Sequence, residues 1–88
     1  MTACKNLLVF ADNPDQYRSY RATLDILTLG VQPQYVHVSA DQSAVRGLRD
    51  VVIHVIGDTA KMSHHLKREL NILQKMGRAT LKVEKFDG

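Results

Sequence analysis

The chain has 88 residues, enough for one domain and no more, read here as a single α/β unit over 1–88. Hydrophobic residues make up 44% and charged residues 24%, a globular balance that excludes a wholly disordered chain, while a core this small buries only about 60–65% of the unfolded surface. Twelve Lys and Arg against nine Asp and Glu leave a net charge of +3, too mild to define a dedicated nucleic-acid binder.

Asn6 to Ala11 is a continuous apolar run suited to a strand buried on both faces. Asp12-Asn13-Pro14-Asp15-Gln16 follows. Asn13 suits an N-cap, Pro14 the first helical position, Asp15 the positive end of the helix dipole, and Gln16 the return arm of a capping box. Tyr17, Tyr20, Leu24 and Leu27 recur at helical spacing and Gly30 suits the C′ position, so the pattern predicts a helix over 14–29. Gln34 to Ser39 alternates as a strand, and Asp41 caps a short helical turn ending by Gly47. Val51 to Ile56 is rich in β-branched residues and reads as a second strand buried on both faces, broken by Gly57-Asp58-Thr59.

Ser63 is the expected N-cap of a helix over 64–76, with Gly77 as C′ and Leu66, Leu70 and Leu73 as its buried stripe. Leu81 and Val83 alternate with Lys82 and Glu84, which predicts a half-exposed edge strand over 80–86. Strands separated by helical crossovers favour parallel pairing with right-handed connections. Placing the two most apolar strands in the centre gives the order 2-1-3-4. The expectation is a small Rossmann-like α/β domain of two or three layers, with four mostly parallel strands and two main helices. The direction of the last strand stays open.

In open parallel sheets ligands bind beyond the C-terminal ends of the strands, where neighbouring connections diverge. The predicted crevice there is rimmed by Asp12 and Asn13 on one side and by Gly57, Asp58 and Thr59 on the other, with Lys61 and His64 just beyond. Two carboxylates suit a divalent cation, but Asp at such positions more often shapes turns and caps helices. No phosphate loop and no G-x-S-x-G elbow is present. His64 and His65 are adjacent rather than four apart, so they do not share a zinc-binding helix face, and His54 suits a hydrogen-bonded core histidine. The expectation is accordingly no catalytic residues, no metal and no cofactor.

The C-terminal third gathers Lys61, Lys67, Arg68, Lys75, Arg78, Lys82 and Lys85 against Glu69, Glu84 and Asp87. Lys61, Lys67, Arg68, Lys75 and Arg78, extended by Arg46 and Arg49, form the candidate binding set for phosphate or an acidic partner. The single cysteine, Cys4, cannot form an internal disulfide, which fits a reducing compartment. No stretch is long and apolar enough for a membrane span, and Met1 to Phe10 is too short in apolar run for a secretory signal. These features point to the cytoplasm.

A strand ending Ala11-Asp12-Asn13, a helix start Gln16-Tyr17-Arg18, and Arg46-Gly47-Leu48-Arg49 before an apolar strand together resemble short α/β proteins encoded by bacteriophages, especially those of actinobacteria. The Arg-Gly-x-Arg segment and the strand after it are also similar to the segment preceding the acidic motif of phage helicase and terminase motors. Such motors need a phosphate loop and an acidic pair, and Gly57-Asp58 stands where that pair would be. The resemblance therefore implies a small non-enzymatic phage protein, acting in the host cytoplasm by binding a host protein. A helix face or sheet edge would carry the contact. A homodimer through the edge strand is a further expectation, and a nucleic-acid module using the basic C-terminal helix is the alternative.

Overall fold

The computed structural model describes residues 5–24 and 30–84. Four strands, β1 (Lys5–Ala11), β2 (Val31–His37), β3 (Val51–Val55) and β4 (Ala79–Val83), form one sheet in the order β2-β1-β3-β4. All three pairings are parallel, which settles the direction of the last strand: Lys5 lies opposite Val31, Asn6 opposite Val51, and Val51 opposite Ala79. Helix α1 (Pro14–Thr23) packs on one face of the sheet and helix α2 (His64–Lys75) on the other. The result is a three-layer, doubly wound α/β fold of the Rossmann-like kind.

The alternation of β1 divides the core. Leu8 and Phe10 pack with Val51, Ile53 and Val55 beneath Leu66, Leu70 and Leu73 of α2. Leu7, Val9 and Ala11 pack with Val31, Ile56 and Tyr20 of α1. The 38–50 connection crosses on the α2 face, where Val38 and Val45 are fully buried. Its short 3-10 turn, Gln42–Ala44, is capped by Asp41, whose carboxylate accepts from the Gln42 N–H.

Helix α2 follows its sequence signals closely. Ser63 Oγ accepts from the Leu66 N–H at the N-terminus. At the other end Gly77 takes φ +72°, the Arg78 N–H donates to Leu73 O, and the Gly77 N–H donates to Gln74 O. That double closure is the Schellman arrangement, and glycine fits it because the left-handed region costs it nothing.

Four expectations are corrected. The first helix ends at Thr23 rather than 29, because Leu24 turns extended and packs against the α1-side core. Leu27 lies outside the described residues, and Gly30 (φ +62°) belongs to the turn entering β2. Strand β2 starts at Val31 and stops at His37, not 34–39. Because the Val38 N–H donates to Ala11 O, the alternation turns the backbone of Pro33 away from β1, towards the open edge where proline's missing N–H is harmless. At its far end the Ala40 N–H bonds His37 O, and Ser39 bonds the His37 ring, which turns the chain out of the strand.

Strand β3 is fully buried on its α2 side only; Val52 and His54 on the α1 side are half-buried. Strand β4 runs Ala79–Val83 rather than 80–86, and Lys85, Phe86 and Asp87 lie outside the described residues, as does Cys4.

Candidate functional site

The crevice at the carboxyl ends of β1 and β3 is stitched together by the protein's own groups. The Ile56 and Gly57 N–H groups both donate to Phe10 O at 3.0 Å. Asp12 Oδ1 accepts from the Asp58 N–H at 3.1 Å and lies 3.5 Å from Lys61 Nζ. Asn13 Oδ1 accepts from the Gln16 N–H, and Gln16 Oε1 accepts from the Asp12 N–H, both at 2.7 Å. The capping box therefore reaches one residue further back than its usual form, which bonds the N-cap N–H. Asp58 caps a second 3-10 turn, Thr59–Lys61, by accepting from the Ala60 N–H.

Gly57 completes the closure. A Cβ there would lie 2.5 Å from Val38 Cγ1 and 2.9 Å from the Asp12 nitrogen, so the residue is glycine for want of space. Asp12, Asn13 and Asp58 are thus brought together, as helix caps and strand-end braces. Thr59 lines a different surface, described below, and His64 is exposed beside His65. Among the described residues, no three His, Cys, Asp or Glu side chains stand where they would hold a metal ion.

The candidate basic set is divided. Lys61 sits at the carboxyl end of the sheet, tied to Asp12, whereas Arg78 follows the far end of α2 and is half-buried beside Asp50 and Thr80. Arg46 and Arg49 are exposed on the segment leading into β3. Arg68 and Lys75 share the solvent face of α2, seven residues apart in two turns, and Lys67 stands on the flank towards β4. A continuous basic face over all seven residues is not formed.

Two features were not anticipated from the sequence. The first is a polar chain on the α1 side of the sheet. Tyr20 lies 4% exposed on the inner face of α1, its hydroxyl 2.7 Å from His54 Nδ1 and 3.1 Å from Glu84 Oε1. The Tyr20 hydroxyl thus bridges the His54 ring and the Glu84 carboxylate. Lys82 Nζ closes the chain 3.2 Å from the same carboxylate. Burial, with the Glu84 charge second, pushes the Tyr20 phenol up to about 12. Burial also holds His54 below its ordinary value, although Glu84 opposes this. Hydrogen bonding from Lys82 first, then from Tyr20, holds Glu84 below the usual carboxylate range against the opposing effect of burial. The chain joins α1, β3 and β4. Its sequence signal is parity: His54, Lys82 and Glu84 all fall on the sheet face that α1 covers.

The second is a groove of about 290 Å³ between α2 and β4. Met62, Leu70, Leu81 and Val83 give it apolar walls, and Lys67 and Asn71 stand at its rim. Val83 is 59% exposed there. The Glu84 N–H donates to Val55 O, so the backbone groups of Thr80, Lys82 and Glu84 face β3, and those of Leu81 and Val83 face away from the sheet. Among the described residues no strand pairs with that outer edge.

Comparison with known proteins finds no matching family model, no matching curated protein and no matching solved structure. No helix among the described residues is long and apolar enough to cross a membrane.

Proposed function

We propose that this chain is a small non-enzymatic interaction protein that binds another polypeptide, a host protein in the phage setting that its motifs imply, through the open edge of β4. One observation carries the reading: the outward N–H and C=O groups of Leu81 and Val83 run beside an apolar groove. An extended segment laid along such an edge gains backbone hydrogen bonds from the strand and side-chain pockets from the groove. Natural sheets guard open edges with charge or by covering them. Here Lys82 is the guard, but the adjoining exposed Val83 leaves the edge adhesive. Asp12 and Asp58 are engaged by backbone N–H groups, which supports a bracing role for these carboxylates over a catalytic one.

The test is capture from host-like lysate by the wild-type chain and by Val83→Pro, with and without nuclease. One stoichiometric protein that survives nuclease and is lost with Val83→Pro is the expected result. Capture of nucleic acid that weakens steeply with salt and fails in Lys67→Glu/Arg68→Glu would overturn it in favour of the basic α2 face.

A further inference from the structure

We infer that the segment taken up by the β4 edge reads apolar–acidic–apolar, with its apolar side chains in the groove between α2 and β4 and its carboxylate against Lys82. The inference rests on the edge reading above and names the chemistry of the partner. A strand laid beside β4 takes its hydrogen bonds from Leu81 and Val83, whose N–H and C=O face outward. Its pleat must match that of β4. A residue opposite Leu81 or Val83 therefore presents its side chain on the α2 face, and one opposite Lys82 on the α1 face. The two faces are distinguished within the chain: Leu81 packs against the α2-side core, whereas Glu84, paired with Lys82, meets Tyr20 of α1. The pattern reads the same in both directions, so it holds for parallel and antiparallel addition alike.

The α2 face sets the two outer positions. Met62, Leu70, Leu81 and Val83 wall the groove, and Val83 is 59% exposed. At about 290 Å³ the groove stands at the foot of the range of about 300–1,000 Å³ that small-molecule sites occupy, so it suits side chains of a bound strand. The α1 face sets the middle position. Lys82 Nζ lies 3.2 Å from Glu84 Oε1, and its side chain is 61% exposed. An ammonium has three donors, which leaves Lys82 the capacity to meet a second carboxylate. Glu84 is already occupied: the same Oε1 also accepts from the Tyr20 hydroxyl, and its side chain is only 35% exposed. The open charge beside the edge is therefore positive, and Lys67 at the groove rim adds to it. A basic middle residue would face Lys82 directly, and like charges directly opposite are unfavourable. An acidic one turns the guard of the edge into a contact.

The experiment measures binding of fluorescent synthetic peptides that carry Val-Glu-Val, Val-Lys-Val or Ser-Glu-Ser between identical flanks. Circular dichroism verifies that each protein variant is folded, and light scattering gives its mass. The wild type is expected to bind Val-Glu-Val about fivefold or more tightly than either of the others. Lys82→Glu is expected to reverse the order of Val-Glu-Val and Val-Lys-Val. Val83→Pro is expected to stay folded, because the N–H it removes faces away from β3, and to lose both peptides. A preference that survives Lys82→Glu unchanged overturns the charge pairing, and equal binding of Ser-Glu-Ser overturns the role of the groove. Peptide binding indifferent to Val83→Pro overturns strand addition and the edge reading with it. A wild type that binds none of the peptides, yet captures a protein lost with Val83→Pro, overturns the pattern and leaves the edge reading standing. A chain that runs at twice its 9.9 kDa mass and binds no peptide gives the edge to a second copy and overturns the inference.

Discussion

Replacing Gly57 with alanine tests whether the strand-end crevice is packed shut. The added Cβ would meet Val38 Cγ1 at 2.5 Å, about 1 Å inside the normal separation of about 3.5–4.0 Å between carbon atoms. Neither neighbour yields easily. Val38 is fully buried among Phe10, Val45 and Val55. The Asp12 nitrogen, 2.9 Å from the new carbon, is main chain and already donates to Gln16 Oε1. Relief requires the ends of β1 and β3 to separate, which stretches the two hydrogen bonds to Phe10 O and the Asp58 N–H bond to Asp12. Overpacking of this kind costs about 2–3 kcal/mol, in the upper part of its usual range. For a domain of this size that lowers the melting temperature by about 10–20 °C, measurable by calorimetry or circular dichroism. Gly47→Ala is the control. Nothing lies within 4 Å of its Cβ, but its φ of +77° carries the left-handed penalty of about 1 kcal/mol. A Gly57→Ala protein that melts no lower than Gly47→Ala would refute the packing argument.

Other outcomes follow from the polar chain and the caps. Tyr20→Phe removes the hydroxyl between His54 and Glu84 and is expected to cost about 1–2 kcal/mol in denaturant unfolding. The raised Tyr20 value favours the protonated phenol in the folded state, so its contribution is whole below pH 10 and is lost as pH rises towards about 12. Tyr20→Phe should flatten that alkaline loss. The lowered His54 value favours the neutral ring in the folded state, so its contribution is whole above 6.5 and declines as pH falls through 6.5 towards the folded value. Melts between about pH 7 and about pH 5 should show that decline in the wild type and less of it in His54→Leu; equal slopes would dismiss the assignment. Asn13→Ala should cost about 1 kcal/mol by removing the α1 cap, and an unchanged denaturation midpoint would contradict that role.

The strand order was legible because each element announced its environment. An unbroken apolar run places β1 at the centre, β-branched residues place β3 beside it, and the leucine stripe with Ser63 and Gly77 fixes α2 almost to the residue. Boundaries failed where a tertiary contact decided them. Strand β2 extends back across Pro33 because its phase against β1 leaves the proline nitrogen facing outward, which alternation over 34–39 does not show. Helix α1 ends where Leu24 turns extended and packs on the α1-side core, a tertiary contact that helical spacing does not register.

At the strand ends the turn-forming roles of Asp12 and Asp58 were readable from residue type. The closure was not, because Gly57 is small on account of Val38, nineteen positions away and on another strand's end. The basic residues cluster along the chain but not in space, since α2 carries Lys61 and Arg78 to opposite ends of the sheet. Tyr20, His54 and Glu84 meet only through strand register, which no local pattern encodes.

The position of β1 at the centre of an all-parallel sheet also governs how the chain reaches this state. Each pair of neighbouring strands is separated in sequence by at least a full crossover, so no hairpin is available to start the sheet. Loop closure must be met before any ladder forms, and such non-local topologies fold more slowly than helical bundles of equal size. Until β3 arrives, the Leu7–Ala11 segment has one edge and much of one face uncovered. The early chain is therefore the aggregation-prone species, and charge placed next to Leu7–Ala11 would act on yield and refolding rate before it acted on the finished fold.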